Sequence, residues 1–293
     1  MLLPLSLVLL IAGSVAVGAA ALRRPPCDRE PAVAVARRHG LGTSLAALVF
    51  GLAAALTVVV AALTTLDGPG SIGRAYLMAP LSFGVVHNAT LLVGELTWPR
   101  PAGELRHARL ARRSPGATAP RWLLRLTAAG ASATLLIVLA GAALSGSDGR
   151  SITLAPDPSL GVRGDPFPGW LYGGPVILGL CLLAGVTMAA LVVVADRPAV
   201  ATADQRRETT LRRASAHRVL RGAAAAVLTV LGELLVAGGA AVHTAAAVPS
   251  QPVLAGLGLL VAALGLAVAL TALAVLCVPA PRVPTGEPVG TSR

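Results

Sequence analysis

Apolar stretches and short polar joints alternate along the whole chain, and each apolar stretch is about 20 residues long. That is the length an α-helix needs to cross about 30 Å of hydrocarbon. The stretches fall at about 1–22, 44–66, 75–97, 122–144, 174–195, 222–247 and 253–277. Uncharged runs of this length exceed what a buried helix in a water-soluble core requires. The pattern predicts an all-α membrane protein, a bundle of seven transmembrane helices in one polytopic domain over 1–277. A Pro-rich, unstructured tail follows over 278–293.

The polar joints set the orientation. The chain contains no lysine, and 21 of its 24 arginines lie in alternate joints; the exceptions are Arg74, Arg150 and Arg163. Basic loops resist translocation and stay cytoplasmic, which places the N-terminus outside and the C-terminus in the cytoplasm. Summed this way, the inner segments carry +14 and the outer ones −1. The same parity decides two ambiguous stretches. The first lacks a basic leader and is too long for a signal-peptide core, so it reads as an uncleaved anchor. The third crosses despite Pro80, His87, Asn88 and Glu95, since otherwise the Arg-rich joint after it would fall outside.

Composition agrees: 55% of residues are hydrophobic and 13% charged, against about a quarter charged in a soluble domain. The net charge of +11 flanks the spans and points to anionic headgroups, at about 1 kcal/mol per basic residue, with a second membrane protein as the other candidate partner. Nucleic acid is not indicated. Arginine without lysine in an Ala-, Gly-, Val- and Leu-rich chain reads as GC-rich coding, and so as a bacterial plasma membrane. Trp98, Trp122, Tyr76, Trp170 and Tyr172 fall at span boundaries, where amphipathic rings form belts. Gly51-x3-Ala55 and Gly222-x3-Ala226 have the small-residue spacing that lets helices approach closely.

Candidate chemistry is confined to polar groups within the spans, where an ionisable side chain is costly and calls for a reason. Counted from span ends at about 1.5 Å per residue, His87, Asn88 and Glu233 lie near one midplane level, and His87 meets Glu233 if spans three and six are neighbours. Such a pair would carry a proton or a cation, or simply hold two helices together. Glu95 sits near the inner boundary, where it reaches water or pairs with Arg100. His243 lies too far from His87 in depth for both to ligate one haem. Residues 206–221 are expected to run helically into span six, with Glu208 and Arg212 as an i,i+4 pair. The motif Arg212-Arg-Ala-Ser215 resembles a basophilic kinase site, and the joint 145–173 reads as a solvated connector.

Cys27, Cys181 and Cys277 lack metal-site or disulfide-framework spacing, and no catalytic or nucleotide-binding motif occurs. The sequence therefore points to a non-enzymatic structural or interaction protein without a cofactor. The alternative is a small proton- or cation-coupled transporter using His87, Asn88 and Glu233. A reporter fused after Gly116 or Thr209 should be active only in its cytoplasmic form; periplasmic activity at either site would reverse the orientation.

Overall fold

The computed structural model describes residues 5–23, 31–65, 70–98, 115–154, 162–197, 205–247 and 251–281. Eight helices occur among them: α1 (Leu5–Leu22), α2 (Pro31–Thr65), α3 (Ser71–Leu96), α4 (Pro115–Thr118), α5 (Arg121–Leu144), α6 (Trp170–Asp196), α7 (Gln205–Ala247) and α8 (Pro252–Cys277). Six are long and apolar enough to cross a membrane, while α1 is apolar but shorter. The predicted turn from Asp67, the Arg100 pairing, Cys27 and most of the tail lie outside the described residues.

Local chemistry accounts for the helices. Leu and Ala dominate them and favour helix. Gly70 precedes α3 in the left-handed conformation at φ 90°, which glycine adopts without a Cβ penalty. Pro252 occupies the first turn of α8, where its missing N–H leaves no bond unmade. Six threonine hydroxyls in the spans are satisfied within their own helices: Thr57, Thr90, Thr127, Thr134, Thr229 and Thr271 each donate to the carbonyl four residues earlier. That arrangement keeps a polar side chain tolerable in hydrocarbon.

α7 is the axle of the bundle. It is continuous over 43 residues, as the sequence predicts for 206–221 running into span six, and every residue from 219 to 232 is buried. The largest apolar clusters both run through it, one joining Leu123 and Leu191 to Leu220 and Val275, the other Leu81 and Val176 to Val230. α8 lies antiparallel to α7 at very short range. A Cβ on Gly232 would fall 2.7 Å from the Gly265 carbonyl oxygen, and one on Gly239 would fall 2.5 Å from that of Gly258. The two pairs are seven residues apart on each helix, so the glycines form one seam.

The two predicted small-residue motifs serve the interior. A Cβ at Gly51 would meet the Phe83 ring at 2.9 Å, and Ala55 is buried in the same α1–α2–α3 cluster. A Cβ on Gly84 would come 2.7 Å from that of Ala226, and one on Gly222 would come 2.5 Å from Nδ1 of His87. α1 closes this side, with Leu7 and Leu10 buried against α2 and α3.

At the end of the bundle away from the arginine-rich joints, the 145–169 segment is folded where it is described, which corrects its reading as a solvated connector. Ile152 and Gly164 exchange backbone hydrogen bonds of 3.0 and 2.9 Å, and Ile152 and Phe167 pack on Ala241 and Ala245 of α7. The Asp148 carboxylate accepts from the Ser151 hydroxyl at 2.7 Å and from the Arg150 and Ser151 amides at 3.1 Å. These bonds, the Ser151 hydroxyl foremost, hold its carboxyl below the usual carboxylate range. Trp122 and Trp170 are exposed, as expected for belt residues, but Trp98 and Tyr172 are buried and belong to the core instead.

Gly232→Leu should separate α7 from α8 and cost about 1–3 kcal/mol, the usual penalty of overpacking. Gly256→Ala, with nothing within 4 Å of the added methyl, should leave stability unchanged or slightly raised. Thermal unfolding of the purified chain in detergent distinguishes the two, and equal midpoints would refute the glycine seam.

Candidate functional site

Among the described residues, two polar clusters and one cavity hold the candidate ionisable groups His87, Glu95 and Glu233. In the first cluster, α3 carries His87 and Asn88 against α6 and α7. His87 Nδ1 lies 3.1 Å from Asn88 Oδ1, and Asn88 Nδ2 donates to the Thr187 hydroxyl of α6 at 2.8 Å. The imidazole stacks on Phe83 with centroids 5.4 Å apart, and Gly222 closes over its other side. His87 and Asn88 are 2% and 0% exposed. The group is dry and tightly packed, and it ties α3 to α6 through a bond worth about 1 kcal/mol.

Glu233 does not join them. Gly222 marks the level of His87 on α7, and Glu233 is eleven residues further along the same helix, about 16 Å away at 1.5 Å per residue. The sequence estimate of a shared depth assumed that helix ends are level. In fact α7 overshoots its neighbours: its final turns stand beside the 145–169 segment, with Ala241 against Gly164. His243 is further still from His87 and bonds the Ala255 carbonyl of α8 at 3.1 Å, so the two histidines cannot share a ligand.

Glu233 instead lines an apolar cavity of about 230 Å³ with Tyr76, Leu77, Phe167, Tyr172 and Val236. α3, α6, α7 and α8 all contribute walls, and Pro166, Phe167 and Pro168 of the folded segment cover them. Thr229 also reaches the wall, but its hydroxyl already donates to Ala225. Glu233 is thus an acidic side chain among mostly apolar walls that also carry the phenols of Tyr76 and Tyr172.

The second cluster lies at the arginine-rich end, and sequence reasoning saw only fragments of it. Glu95 is buried, contrary to its expected contact with water, and accepts from Arg197 Nη1 at 2.9 Å. Arg218 Nη2 is 3.9 Å from the other carboxylate oxygen and donates to Ser215 at 3.0 Å. The Arg197 guanidinium lies 3.9 Å over the Trp98 ring, which His39 meets edge-on at 5.7 Å. His39 Nε2 donates to the Gly94 carbonyl at 2.8 Å. Arg218 Nη1 reaches the Gly40 carbonyl at 2.9 Å, so α2, α3, α6 and α7 meet here.

The expected Glu208–Arg212 pair is present at 2.8 Å. Arg212 also donates to the carbonyls of Ala195 and Arg197, the unpaired acceptors at the end of α6. A cation is favoured at a helix C-terminus by the peptide dipoles. Ser215 is 1% exposed and takes hydrogen bonds from two arginines, which removes the kinase-site reading. The signal that sequence could have offered was Arg197 itself, a charge directly after a predicted span. Its partner, 102 positions away, has no local signature.

Among the described residues, no three His, Cys, Asp or Glu side chains gather in a way that would hold a metal ion. Nor does any described cluster pair a nucleophile with a base and an orienting group, the geometry covalent catalysis needs.

Breaking a buried ion pair by removing one partner costs about 3–5 kcal/mol, because the other charge stays buried without compensation. Glu95→Gln and Arg197→Met should each lower the unfolding midpoint steeply, and the double variant should recover part of the loss. Strictly additive losses in a double-mutant cycle would show that the two groups are not coupled.

Residues 156–288 match the family model described as LCTMP-like, low-complexity tail membrane protein-like. The match covers less than half of the chain, from the 145–169 segment through α6, α7 and α8 into the tail. No curated protein and no solved structure matches the sequence significantly. With six helices long and apolar enough to span, this likeness identifies a multi-pass membrane protein similar to a family with no known catalytic role.

Proposed function

We propose that the chain is a non-enzymatic protein of a bacterial plasma membrane, seven-spanning with its N-terminus outside, that works by contact with anionic lipid. The observation that carries this reading is the division of labour among the arginines. Arg197 and Arg212 are buried and spent on cross-helix bonds, whereas Arg23, Arg38, Arg121, Arg125 and Arg213 at the same end are exposed. Exposed guanidinium groups beside an exposed Trp122 suit the headgroup layer, where cations meet anionic phosphate and an indole sits at the water boundary. A small proton- or cation-coupled transporter is the second reading. Glu233 in its apolar cavity supports it, and the separation of Glu233 from His87 weighs against a site that both would share.

In nanodiscs of mixed phosphatidylglycerol and phosphatidylcholine, the purified chain should retain phosphatidylglycerol preferentially when it is released for native mass spectrometry. Replacing Arg38, Arg121, Arg125 and Arg213 together by Gln should reduce that preference at least about tenfold, given about 1 kcal/mol per basic residue. Equal retention of both lipids by the unaltered chain would overturn the reading.

A further inference from the structure

The cavity beneath Pro166, Phe167 and Pro168 is placed and shaped for one kind of occupant. We infer that it holds a single hydrocarbon chain, the tail of a membrane lipid that enters from the surrounding bilayer. This site lies at the opposite end of the bundle from the exposed arginines and asks nothing of any charged group. It therefore stands or falls separately from the lipid-contact reading.

Depth comes first. α3 and α7 run antiparallel, with His87 of α3 at Gly222 and Gly84 at Ala226. Counting outward from those contacts sets Gly73 level with Ala237, and both line the cavity. Pro168 packs on Gly238 just beyond. Trp170, two positions on, is exposed and marks the layer where amphipathic rings meet water. The cavity lies immediately inside that layer, where bilayer hydrocarbon begins. Its wall also opens at this level. Every residue of α7 from 219 to 232 is buried, whereas Glu233, Val236 and Ala237 are half-buried. Leu9 and Leu10 of α1 close over Thr229 and Ala272 further in, but no described residue of α1 lines the cavity. The enclosure of α7 is thus broken beside the cavity, where the medium outside is lipid.

Size and shape come second. An apolar cavity of about 150 Å³ holds the six carbons of benzene, so about 230 Å³ holds roughly nine at the same density. The lining runs along α7 from Thr229 to Ala237, about 12 Å at 1.5 Å per residue, which suits those carbons in an extended chain. Leu77, Phe167, Leu234, Val236 and Ala269 offer that chain close apolar contact. Such dispersion contact is what favours association inside a bilayer, where hiding apolar surface gains nothing. Lipid tails are the solvent at this opening, whereas a free apolar solute would first have to partition there.

The test places the full chain in phosphatidylcholine nanodiscs with a trace of phosphatidylcholine that carries a diazirine on its acyl chain. Parallel nanodiscs carry a small aryl diazirine instead, and mass spectrometry locates the label after illumination. The acyl probe should label residues 166–168 and 229–237 more than Leu260 and Leu264, exposed leucines of α8, by at least about tenfold, a preference of about 1.4 kcal/mol. Ala237→Trp, which fills the cavity, should bring that labelling down to the level of the two leucines. Cavity labelling no stronger than theirs in the unaltered chain overturns the inference. So does cavity labelling by the aryl probe alone, which would make this a site for small solutes. An Ala237→Trp chain that keeps its unfolding midpoint and labels as before overturns it too. If Ala237→Trp fails to fold, the two probes on the unaltered chain decide.

Discussion

Helices in a bilayer gain nothing from hiding apolar surface from one another, because lipid is as apolar as leucine; they associate through close contact. Everything in this bundle follows from how closely α7 can be approached. Glycines at 232 and 239 admit α8 to backbone contact, Gly84 of α3 faces Ala226, and Gly130 of α5 faces Val227. The result is a helix enclosed on all sides over four turns, whose polar residues must find partners inside the protein. His87 seated on Gly222 and Thr229 turned back on its own helix are consequences of that enclosure.

The two ends of the bundle solve different problems. At the arginine-rich end, Glu95 and the Arg197 guanidinium over Trp98 knit four helices with buried charge. Such a network is poor evidence of net stabilisation, since desolvation offsets much of the attraction; its contribution is to fix which helix neighbours which. At the other end, packing is apolar, and the folded 145–169 segment covers the open space between helices. The cavity beside Glu233 lies between α3, α6, α7 and α8, and Pro166, Phe167 and Pro168 of that segment cover it.

Much of the architecture was legible in the sequence because hydrophobic length is a local property. The predicted stretch 253–277 and helix Pro252–Cys277 agree almost residue for residue, and the continuity of 206–221 with span six followed from uninterrupted helical pattern. α2 begins well before its predicted span, because the polar turn around Arg37 and His39 is helical too. Site geometry was less accessible. Depth counted from span ends put His87 level with Glu233, an error created by the axial offset of α7. The Glu95–Arg197 pair links positions whose neighbourhood is decided by tertiary packing, and no period or spacing announces it. Trp98 illustrates the same limit: its place in the chain suggests a headgroup anchor, while its ring serves a buried cation.

Arg212 gives one last consequence. Its planar fork spans a carboxylate on its own helix and two main-chain oxygens at the end of α6. An ammonium group is a compact point donor that lacks this flat, divergent set of N–H bonds. A lysine there would conserve the charge yet strand some of those acceptors. A lysine-free composition thus coincides with a local geometric requirement, since the joint between these two helices calls for the one basic side chain that the sequence uses.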